Sequence, residues 1–169
     1  MPSFISFIPT PPSHINGFFQ LVSVSASDVV YDLGSGDGRI PIAAAKRRGA
    51  RGVGIEIDPA LVKKAREIAE AQGVGKRVRF VEADLFEADI HDATVVVLFL
   101  APELNLQLVP KLKKDLRPGT KIVSNTFDIY GWQPERELTV GDANDKGHPF
   151  SHKLYLWTVP QRSAGTARN

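Results

Sequence analysis

The chain has 169 residues, of which 43% are hydrophobic and 24% are charged, and this size and composition are typical of one globular domain. It contains no cysteine, which excludes disulfides, thiol nucleophiles and cysteine-ligated zinc or iron–sulfur clusters. The 21 basic residues nearly balance the 19 acidic ones, so the net charge of +2 gives no strong indication of nucleic acid as a partner.

The sequence shows no segment typical of membrane insertion or secretion. The longest strongly apolar run, Thr94 to Ala101, is far shorter than the ~20 residues that a transmembrane helix requires. The first residues are rich in proline and lack the basic segment of a secretory signal. We therefore expect a cytoplasmic protein without a membrane partner, with residues 1–160 forming one domain and residues 161–169 forming a flexible tail.

Helices and strands are predicted to alternate along most of the chain, because apolar residues recur at helical spacing in some segments and form short continuous runs in others. Glycine, proline and Asp58 mark the boundaries. In chain order, the pattern predicts a helix over 13–23, a strand over 29–33, a helix over 39–48, a strand over 52–57, a helix over 59–72, strands over 78–83 and 93–100, a helix around 104–112, a strand over 121–127, and two final strands over 137–141 and 152–159.

These elements predict an α/β fold with three layers. The first five strands are joined mainly by helical crossovers, which is typical of a parallel sheet covered on both faces. The last two strands have only a loop between them, which predicts a C-terminal antiparallel hairpin and brings the sheet to seven strands. Ligands of such sheets bind beyond the carboxyl ends of the strands, near the first strand.

A glycine-rich loop follows the first predicted strand. Gly34, Gly36 and Gly38 lie between that strand and the next helix, where glycines let a ligand approach the backbone and the helix N-terminus favours negative charge. The dinucleotide fingerprint G-x-G-x-x-G requires a third glycine where this chain has Arg39. This difference is evidence against a pyrophosphate ligand.

Three acidic residues follow the first three predicted strands or end them. Glu56 comes 20 residues after Gly36, the spacing at which a carboxylate accepts hydrogen bonds from the ribose hydroxyls of an adenosine. Asp32 would repel a pyrophosphate but attract the ammonium group of an amino acid. S-adenosylmethionine contains both an adenosine and an amino acid, so we predict it as the cofactor, with Asp84 near the adenine amine.

The loop and its flanking residues, Val-Tyr-Asp-Leu-Gly-Ser-Gly-Asp-Gly-Arg-Ile at 30–40, resemble motif I of the class I S-adenosylmethionine-dependent methyltransferases. Together with Phe-Ile-Pro-Thr-Pro at 7–11, Gly-Ile-Glu-Ile-Asp-Pro at 54–59, Ala-Thr-Val-Val at 93–96 and Pro-Gly-Thr at 118–120, they are similar to the family of the ATP synthase c-subunit lysine methyltransferases and their archaeal protein-lysine methyltransferase relatives. The resemblance implies a Rossmann-like methyltransferase sheet and methylation of lysine side chains in a protein substrate.

The resemblance also implies that the proline-rich leader folds over the cofactor, which gives Thr10 a cofactor contact. The chain lacks the membrane-targeting N-terminal segment of the eukaryotic members, so their mitochondrial substrates are not implied. The cofactor-binding residues that we predict are Thr10, Asp32, Gly34, Ser35, Gly36, Gly38, Glu56, Ile57, Asp84 and Leu85.

The methyl acceptor should lie beyond the fourth and fifth strands. The chain has Leu-Phe-Leu-Ala-Pro-Glu at 98–103 instead of the Asn/Asp-Pro-Pro-Tyr/Phe motif of methyltransferases that act on amides and base amines. We predict Phe99, Asn125 and Phe127 as the catalytic residues. Phe127 would stack against a lysine stem, and Asn125 would accept a hydrogen bond from its ammonium group.

Other functions remain open from the sequence. The acceptor could be a small molecule or an RNA, or the domain could bind a nucleotide without catalysis. An NAD-dependent oxidoreductase is disfavoured by the missing fingerprint. The four histidines show no ligand spacing, so no metal is predicted.

Overall fold

The computed structural model of the protein describes residues 7–141 and 152–162. Its elements alternate as the sequence predicts: the strand over 29–33 and the helix over 39–48 agree with the prediction at both ends, and the other boundaries differ by up to three residues. In chain order they are α1 (Pro12–Leu21), β1 (Val29–Leu33), α2 (Arg39–Arg48), β2 (Arg51–Glu56), α3 (Pro59–Ala71), β3 (Val78–Glu82), β4 (Val95–Leu98), α4 (Pro102–Asp115), β5 (Lys121–Asn125), β6 (Arg136–Thr139) and β7 (Lys153–Thr158).

The seven strands form one mixed sheet in the order β3-β2-β1-β4-β5-β7-β6. The first five strands pair in parallel, whereas β7 pairs antiparallel with both β5 and β6. The predicted fold class, a three-layer α/β sheet with a C-terminal antiparallel hairpin, is therefore confirmed. From β1, the strands β2 and β3 extend to one side of the sheet, whereas β4 and β5 extend to the other. This reversal of strand order places a ligand-binding crevice at the carboxyl ends of β1 and β4.

Helices cover both faces of the sheet. Helices α1 and α2 pack on one face through a cluster that includes Phe18, Ile40 and Val97, and α3 continues this layer beside β3. Helix α4 packs on the other face, where Leu108 and Leu112 lie against Ile122 and Val96. The strands at the centre of the sheet are therefore buried on both faces, which explains why β4 is continuously apolar.

Two helix boundaries follow directly from local chemistry. Asp58 accepts a hydrogen bond from the Ala60 amide at 2.9 Å and precedes Pro59, so it is the N-cap that the sequence predicts for α3. Gly49 ends α2 in the left-handed region with φ 68°, which a glycine adopts without steric cost.

Gly17 has a structural role in α1 that its helix propensity alone does not suggest. A Cβ atom at this position would lie 2.3 Å from Val140 Cγ1, so the glycine allows α1 to approach the chain beside β6 closely. Within residues 7–141 and 152–162, no helix is both long and apolar enough to cross a membrane. The loop before β7 and most of the predicted tail, residues 163–169, lie outside the described residues.

Candidate active site

The loops after the first three strands are held side by side at the carboxyl edge of the sheet. The amides of Gly34 and Ser35 donate to the Ile55 carbonyl at 2.8 and 3.0 Å, which ties the end of β1 to β2. The Ala83 amide donates to the Glu56 carbonyl at 3.0 Å, which ties β2 to the chain after β3. The residues predicted to bind the cofactor from these three loops are thus brought together at one edge.

The glycine loop has the backbone conformation of a cradle. Gly34, Gly36 and Gly38 all have positive φ angles, of 85°, 57° and 82°. Glu56 supports the loop through its carboxylate, because Oε1 accepts from the Gly36 amide and Oε2 from the Asp58 amide, each at 3.0 Å. A carboxylate has about four acceptor sites, so both oxygens retain capacity for ribose hydroxyls.

The proline-rich leader lies against this loop. A Cβ atom at Gly36 would lie 2.0 Å from Cε2 of Phe7, so the aromatic ring covers the glycine directly. Arg39 fixes the leader to the loop, because its Nη1 donates to the Thr10 carbonyl at 3.1 Å and its Nη2 donates to Asp37 at 2.7 Å. Thr10 is buried at this junction, beside the loop that the sequence predicts as the cofactor cradle.

Asp32 is buried, with 5% of its surface exposed, at the base of the cradle. Burial raises the pKa of its carboxyl well above the usual 3.8, and the nearby negative charges of Glu56 and Asp37 raise it further. A carboxylate held in this way is stabilised by a cation placed beside it. The site therefore favours a positively charged ligand group next to Asp32.

Asp37 has the opposite electrostatic behaviour. Burial alone would raise the pKa of Asp37, but the hydrogen bonds and charge of Arg39 outweigh it and lower the pKa. Asp37 and Arg39 form a neutral pair at the start of α2. Asp32 is thus the carboxyl in this loop whose charge a ligand can compensate.

The side of the cradle beyond β2 is more open. Ile57 exposes 66% of its surface directly after β2, which is unusual for an isoleucine and suits stacking against a planar base. Asp84 is exposed after β3, and its Oδ1 accepts from the Phe86 amide at 2.9 Å. Leu85 follows Asp84, is half-buried and packs against the core. The predicted adenine contacts therefore lie at the same edge, with Asp84 acting also in a local turn.

Asn125 lies on the same face of the sheet as Asp32. The strand registers pair Asp32 with Val97 and Val97 with Val123, and Asn125 follows Val123 by two residues at the end of β5. It is 2% exposed. Its Oδ1 lies 2.7 Å from Nδ1 of His14 on α1 and accepts from the Thr126 hydroxyl at 3.1 Å.

The Asn125 amide retains one unsatisfied end. Its Nδ2 is buried and has no hydrogen-bond partner among the described residues. A half-turn of the amide exchanges its two ends, and His14 can serve either end because each nitrogen of a neutral imidazole donates or accepts according to its tautomer. In one orientation Asn125 offers a donor, and in the other it offers the carbonyl oxygen that the sequence predicts for an ammonium group.

The chain turns sharply after Asn125. Thr126 has φ 72°, a left-handed conformation that is costly for a β-branched residue. Its amide donates to the Lys153 carbonyl at 2.7 Å, which holds the turn against β7. Backbone strain of this kind is concentrated at functional sites, which supports a role for this edge of β5.

Phe99 and Phe127 follow β4 and β5 and are each partly buried. Phe99 directly follows β4, two residues after Val97, which lies on the face that carries Asp32 and Asn125. The Phe127 carbonyl accepts from the Ser124 hydroxyl at 2.5 Å, which fixes the turn that carries this ring. Their roles toward the acceptor stay predictions.

Two contributors were not found from sequence. His14 is 1% exposed, and its Nε2 lies 3.1 Å from Nδ1 of His152, so the two rings link α1 to the residue before β7 beside Asn125. They are separated by 138 positions, which is why their spacing gave no signal. Ser35, by contrast, is one of the residues that the sequence predicts in the cradle, and its Oγ is buried without a hydrogen-bond partner among the described residues.

Comparison with known proteins identifies the family. The family model for the ANTKMT methyltransferase domain matches residues 32–136, which include the glycine loop, Glu56, Asp84 and Asn125. This match covers more than half of the chain. The chain belongs to this methyltransferase family.

Two curated relatives support the assignment. A protein-lysine N-methyltransferase of Saccharolobus islandicus is 40% identical over 156 residues, covering 92% of this chain and 94% of the relative. The human lysine N-methyltransferase that acts on the c-subunit of ATP synthase is 34% identical over 131 residues, covering 78% of this chain. The match covers 55% of that human protein, so just over half of its length corresponds to this methyltransferase domain.

A similar solved structure contains the product form of the predicted cofactor. The RNA methyltransferase of Salinibacter ruber, in complex with S-adenosyl-L-homocysteine, is 47% identical with a TM-score of 0.84, and the match covers 96% of this chain and 100% of that one. The prediction of an S-adenosylmethionine-dependent methyltransferase is confirmed. The residues present fit this cofactor, because a glycine cradle, a buried carboxyl for an ammonium group and an exposed isoleucine for a base lie along one edge.

The cradle allows a first test of the methyltransferase site. Gly36→Ala should weaken S-adenosylhomocysteine binding at least tenfold, because the new Cβ both strains a left-handed residue, at a cost of ~1–2 kcal/mol, and collides with Phe7. Gly73→Ala is the matched control, since Gly73 has φ 76° and nothing within 4 Å of the added Cβ. Calorimetric titration and thermal unfolding of both variants measure the effects. Equal loss of affinity in both variants would contradict the assignment of the cradle.

Proposed function

We propose that this methyltransferase transfers the methyl group of S-adenosylmethionine to lysine side chains of proteins. The observation that carries the proposal is the 40% identity to the Saccharolobus islandicus protein-lysine N-methyltransferase over nearly the full length of both chains. The amide at the end of β5 supports it, because the unpartnered end of Asn125 lies on the face that carries Asp32 and can accept from an amine once a half-turn of the amide brings Oδ1 there.

The protein's own contribution to this reaction is alignment. The cofactor supplies an activated methyl group on a sulfonium, so little covalent work is required of the protein. The cradle and Asp32 would hold the amino-acid end, and Glu56 the ribose. The lysine ammonium must release its proton to solvent before its nitrogen attacks the methyl carbon, and burial of the amine beside Asn125 favours that release.

The acceptor amine is then oriented rather than activated by a strong base. With its amide turned so that Nδ2 faces His14 and Thr126, Asn125 would accept one amine hydrogen through Oδ1 and direct the nitrogen lone pair toward the methyl group. Phe99 and Phe127 would exclude water and pack against the apolar lysine stem. Transfer leaves S-adenosylhomocysteine and a methylated lysine.

The experiment that tests this function follows labelled methyl from S-adenosylmethionine into a cell extract. The extract is divided for protease digestion, nuclease digestion and acid hydrolysis with amino-acid analysis. We expect the label to be released by protease and recovered as methyllysine. Label released by nuclease or found in small molecules would reject the lysine substrate and keep the cofactor site.

RNA is the second candidate substrate, because the Salinibacter ruber structure at 47% identity is described as an RNA methyltransferase. The nuclease arm of the same experiment distinguishes the two. We further propose that residues 1–160 form one domain, supported by the single continuous sheet, and the cytoplasmic location stays a prediction from the sequence.

A further inference from the structure

Positive charge is concentrated at the end of the sheet opposite the cofactor edge. The amino ends of β2 and β3 and the neighbouring face of α3 enclose a cleft of about 1090 Å³. The Lys-Arg-Arg run at 46–48, where α2 ends, extends the charge beyond it. We call this cleft the basic groove, and its five cationic residues are Arg51, Arg66, Lys76, Arg77 and Arg79.

The near-even net charge conceals this segregation. Residues 40–55 and 72–81 contain no aspartate or glutamate, although the whole chain has 19 of them. Among the described residues that line the basic groove, Asp92 is the one carboxylate, and it accepts a hydrogen bond from the Tyr31 hydroxyl. The acidic residues are therefore concentrated on the remaining surface of the protein, whereas the basic groove is strongly positive.

The cations of the basic groove are not neutralised within the protein. All five are exposed, and none forms an ion pair with a carboxylate in residues 7–141 and 152–162. Arg66 and Arg77 instead donate to the carbonyls of Phe80 and Gly49, at 2.9 and 2.7 Å. These two bonds hold guanidinium groups at the wall of the groove.

The arrangement opposes stability unless an anion is bound. The Gly52 amide donates to the Arg77 carbonyl at 3.0 Å, which brings Arg51 and Arg77 side by side on neighbouring strands. Like charges in neighbouring positions of a sheet are destabilising. A polyanion that contacts several of these side chains at once would remove the repulsion and release counterions.

We propose that the basic groove binds the phosphate backbone of duplex nucleic acid without base specificity. Single-stranded binding uses exposed aromatic rings for stacking, but Phe80 is the aromatic residue lining the groove and it is 4% exposed. Insertion into a membrane surface uses exposed apolar side chains, and the large ones among the described residues, Phe7, Ile57, Leu106 and Tyr130, lie outside the groove. Rows of cations without exposed aromatic rings or large exposed apolar side chains are suited to contact a phosphate backbone.

The amino ends of β2 and β3, where Arg51 and Arg77 lie, are one strand length from the cofactor edge, or ~16 Å for five residues. A duplex bound there leaves open the acceptor edge, which is the carboxyl end of β4 and β5 where the methyl acceptor is predicted to bind. The methyltransferase would then be held on nucleic acid while its active site faces other molecules, which concentrates it near proteins bound to the same duplex. Binding does not depend on the lysine proposal, because it is measured without methyl transfer.

The test is fluorescence anisotropy with labelled duplex DNA and duplex RNA of random sequence, over a series of salt concentrations. The variant is R51Q/K76Q/R79Q, which leaves the two carbonyl-bound arginines in place. The control is K63Q/K114Q/R136Q, which removes the same charge from exposed residues of α3, α4 and β6. Circular dichroism and S-adenosylhomocysteine titration check that both variants are folded.

We expect the wild type and the control to bind both duplexes at micromolar concentration in low salt. The groove variant should bind at least tenfold more weakly, and its salt slope should fall by about 0.9 for each lost phosphate contact. Equal binding by groove variant and control would overturn the proposal. Tighter binding to phosphatidylserine vesicles or polyglutamate than to either duplex, at matched charge, would overturn the choice of nucleic acid.

Discussion

Asp32→Asn should weaken cofactor binding ~30-fold or more, while raising the thermal stability of the cofactor-free protein. Burial and two nearby carboxylates raise the pKa of Asp32, so its ionised form opposes folding. Asparagine has nearly the same shape without the charge. Removing one partner of a buried charge pair costs about 2–5 kcal/mol of binding, which is ~30-fold or more in affinity.

The pH dependence has a defined sign. A carboxyl whose folded pKa is raised adds stability at low pH, and this contribution is lost as pH rises from 3.8 through the raised folded pKa. Cofactor affinity should change in the opposite direction, because the ammonium group pairs with the ionised carboxylate. Wild-type affinity should therefore increase with pH over this range.

Calorimetric titration at several pH values and thermal unfolding measure both effects. In Asp32→Asn the pH dependence of cofactor affinity should disappear together with most of the affinity. Asp89→Asn is the matched control, because Asp89 is an exposed carboxylate in the chain before β4. Retained affinity in Asp32→Asn, or an equal loss in Asp89→Asn, would show that Asp32 does not bind the ammonium group.

Asn125→Ala should reduce kcat for lysine methylation about 100-fold with less than threefold change in cofactor affinity. Asn125 lies at the acceptor edge, two strands from Asp32, so its loss misplaces the amine without altering the cradle. Misplacement of a reacting group by about 1 Å is sufficient for a loss of this size. Steady-state assays measure kcat, and single-turnover methyl transfer measures the rate of the chemical step separately from product release.

Loss of Asn125 also removes hydrogen bonds from His14 and Thr126, so stability must be separated from catalysis. Asn105→Ala is a suitable control. Asn105 is 0% exposed, bonds Ser124 at 3.3 Å on the opposite face of β5, and has its own unsatisfied Oδ1. Both variants should lose about 1–3 kcal/mol of stability. Equal loss of kcat in both would contradict a positioning role for Asn125.

The fold could be predicted from the sequence because the local hydrophobic patterns match the strands and helices of the observed sheet. Alternating apolar runs and helices predicted the five parallel strands, and the missing crossover after the fifth strand predicted the antiparallel end. The strand boundaries were predicted less accurately, because hydrogen bonding to the neighbouring strands decides where a strand begins and ends. The strand predicted over 93–100 is apolar apart from Thr94, but the ladders with neighbouring strands include only Val95–Leu98.

The cofactor edge was also predictable, because its residues come from consecutive loops whose spacing is visible in sequence. Contacts between segments that are far apart in the sequence could not be predicted. His14 meets Asn125 and His152 only when α1 and β7 pack together, and neither pattern nor spacing indicates that. The basic groove was missed for another reason: net charge sums the whole chain and cannot show that β2 and β3 begin with unpaired cations.

The central claim, that this methyltransferase methylates protein lysines, is tested most directly with a single turnover. Enzyme loaded with methyl-labelled S-adenosylmethionine is mixed with a ribosomal-protein fraction freed of nucleic acid, or with the same fraction after chemical acetylation of its lysines. Acid hydrolysis then identifies the labelled amino acid. We predict label in methyllysine from the untreated fraction and none from the acetylated one. Label in any other residue, or equal labelling of both fractions, would contradict the account.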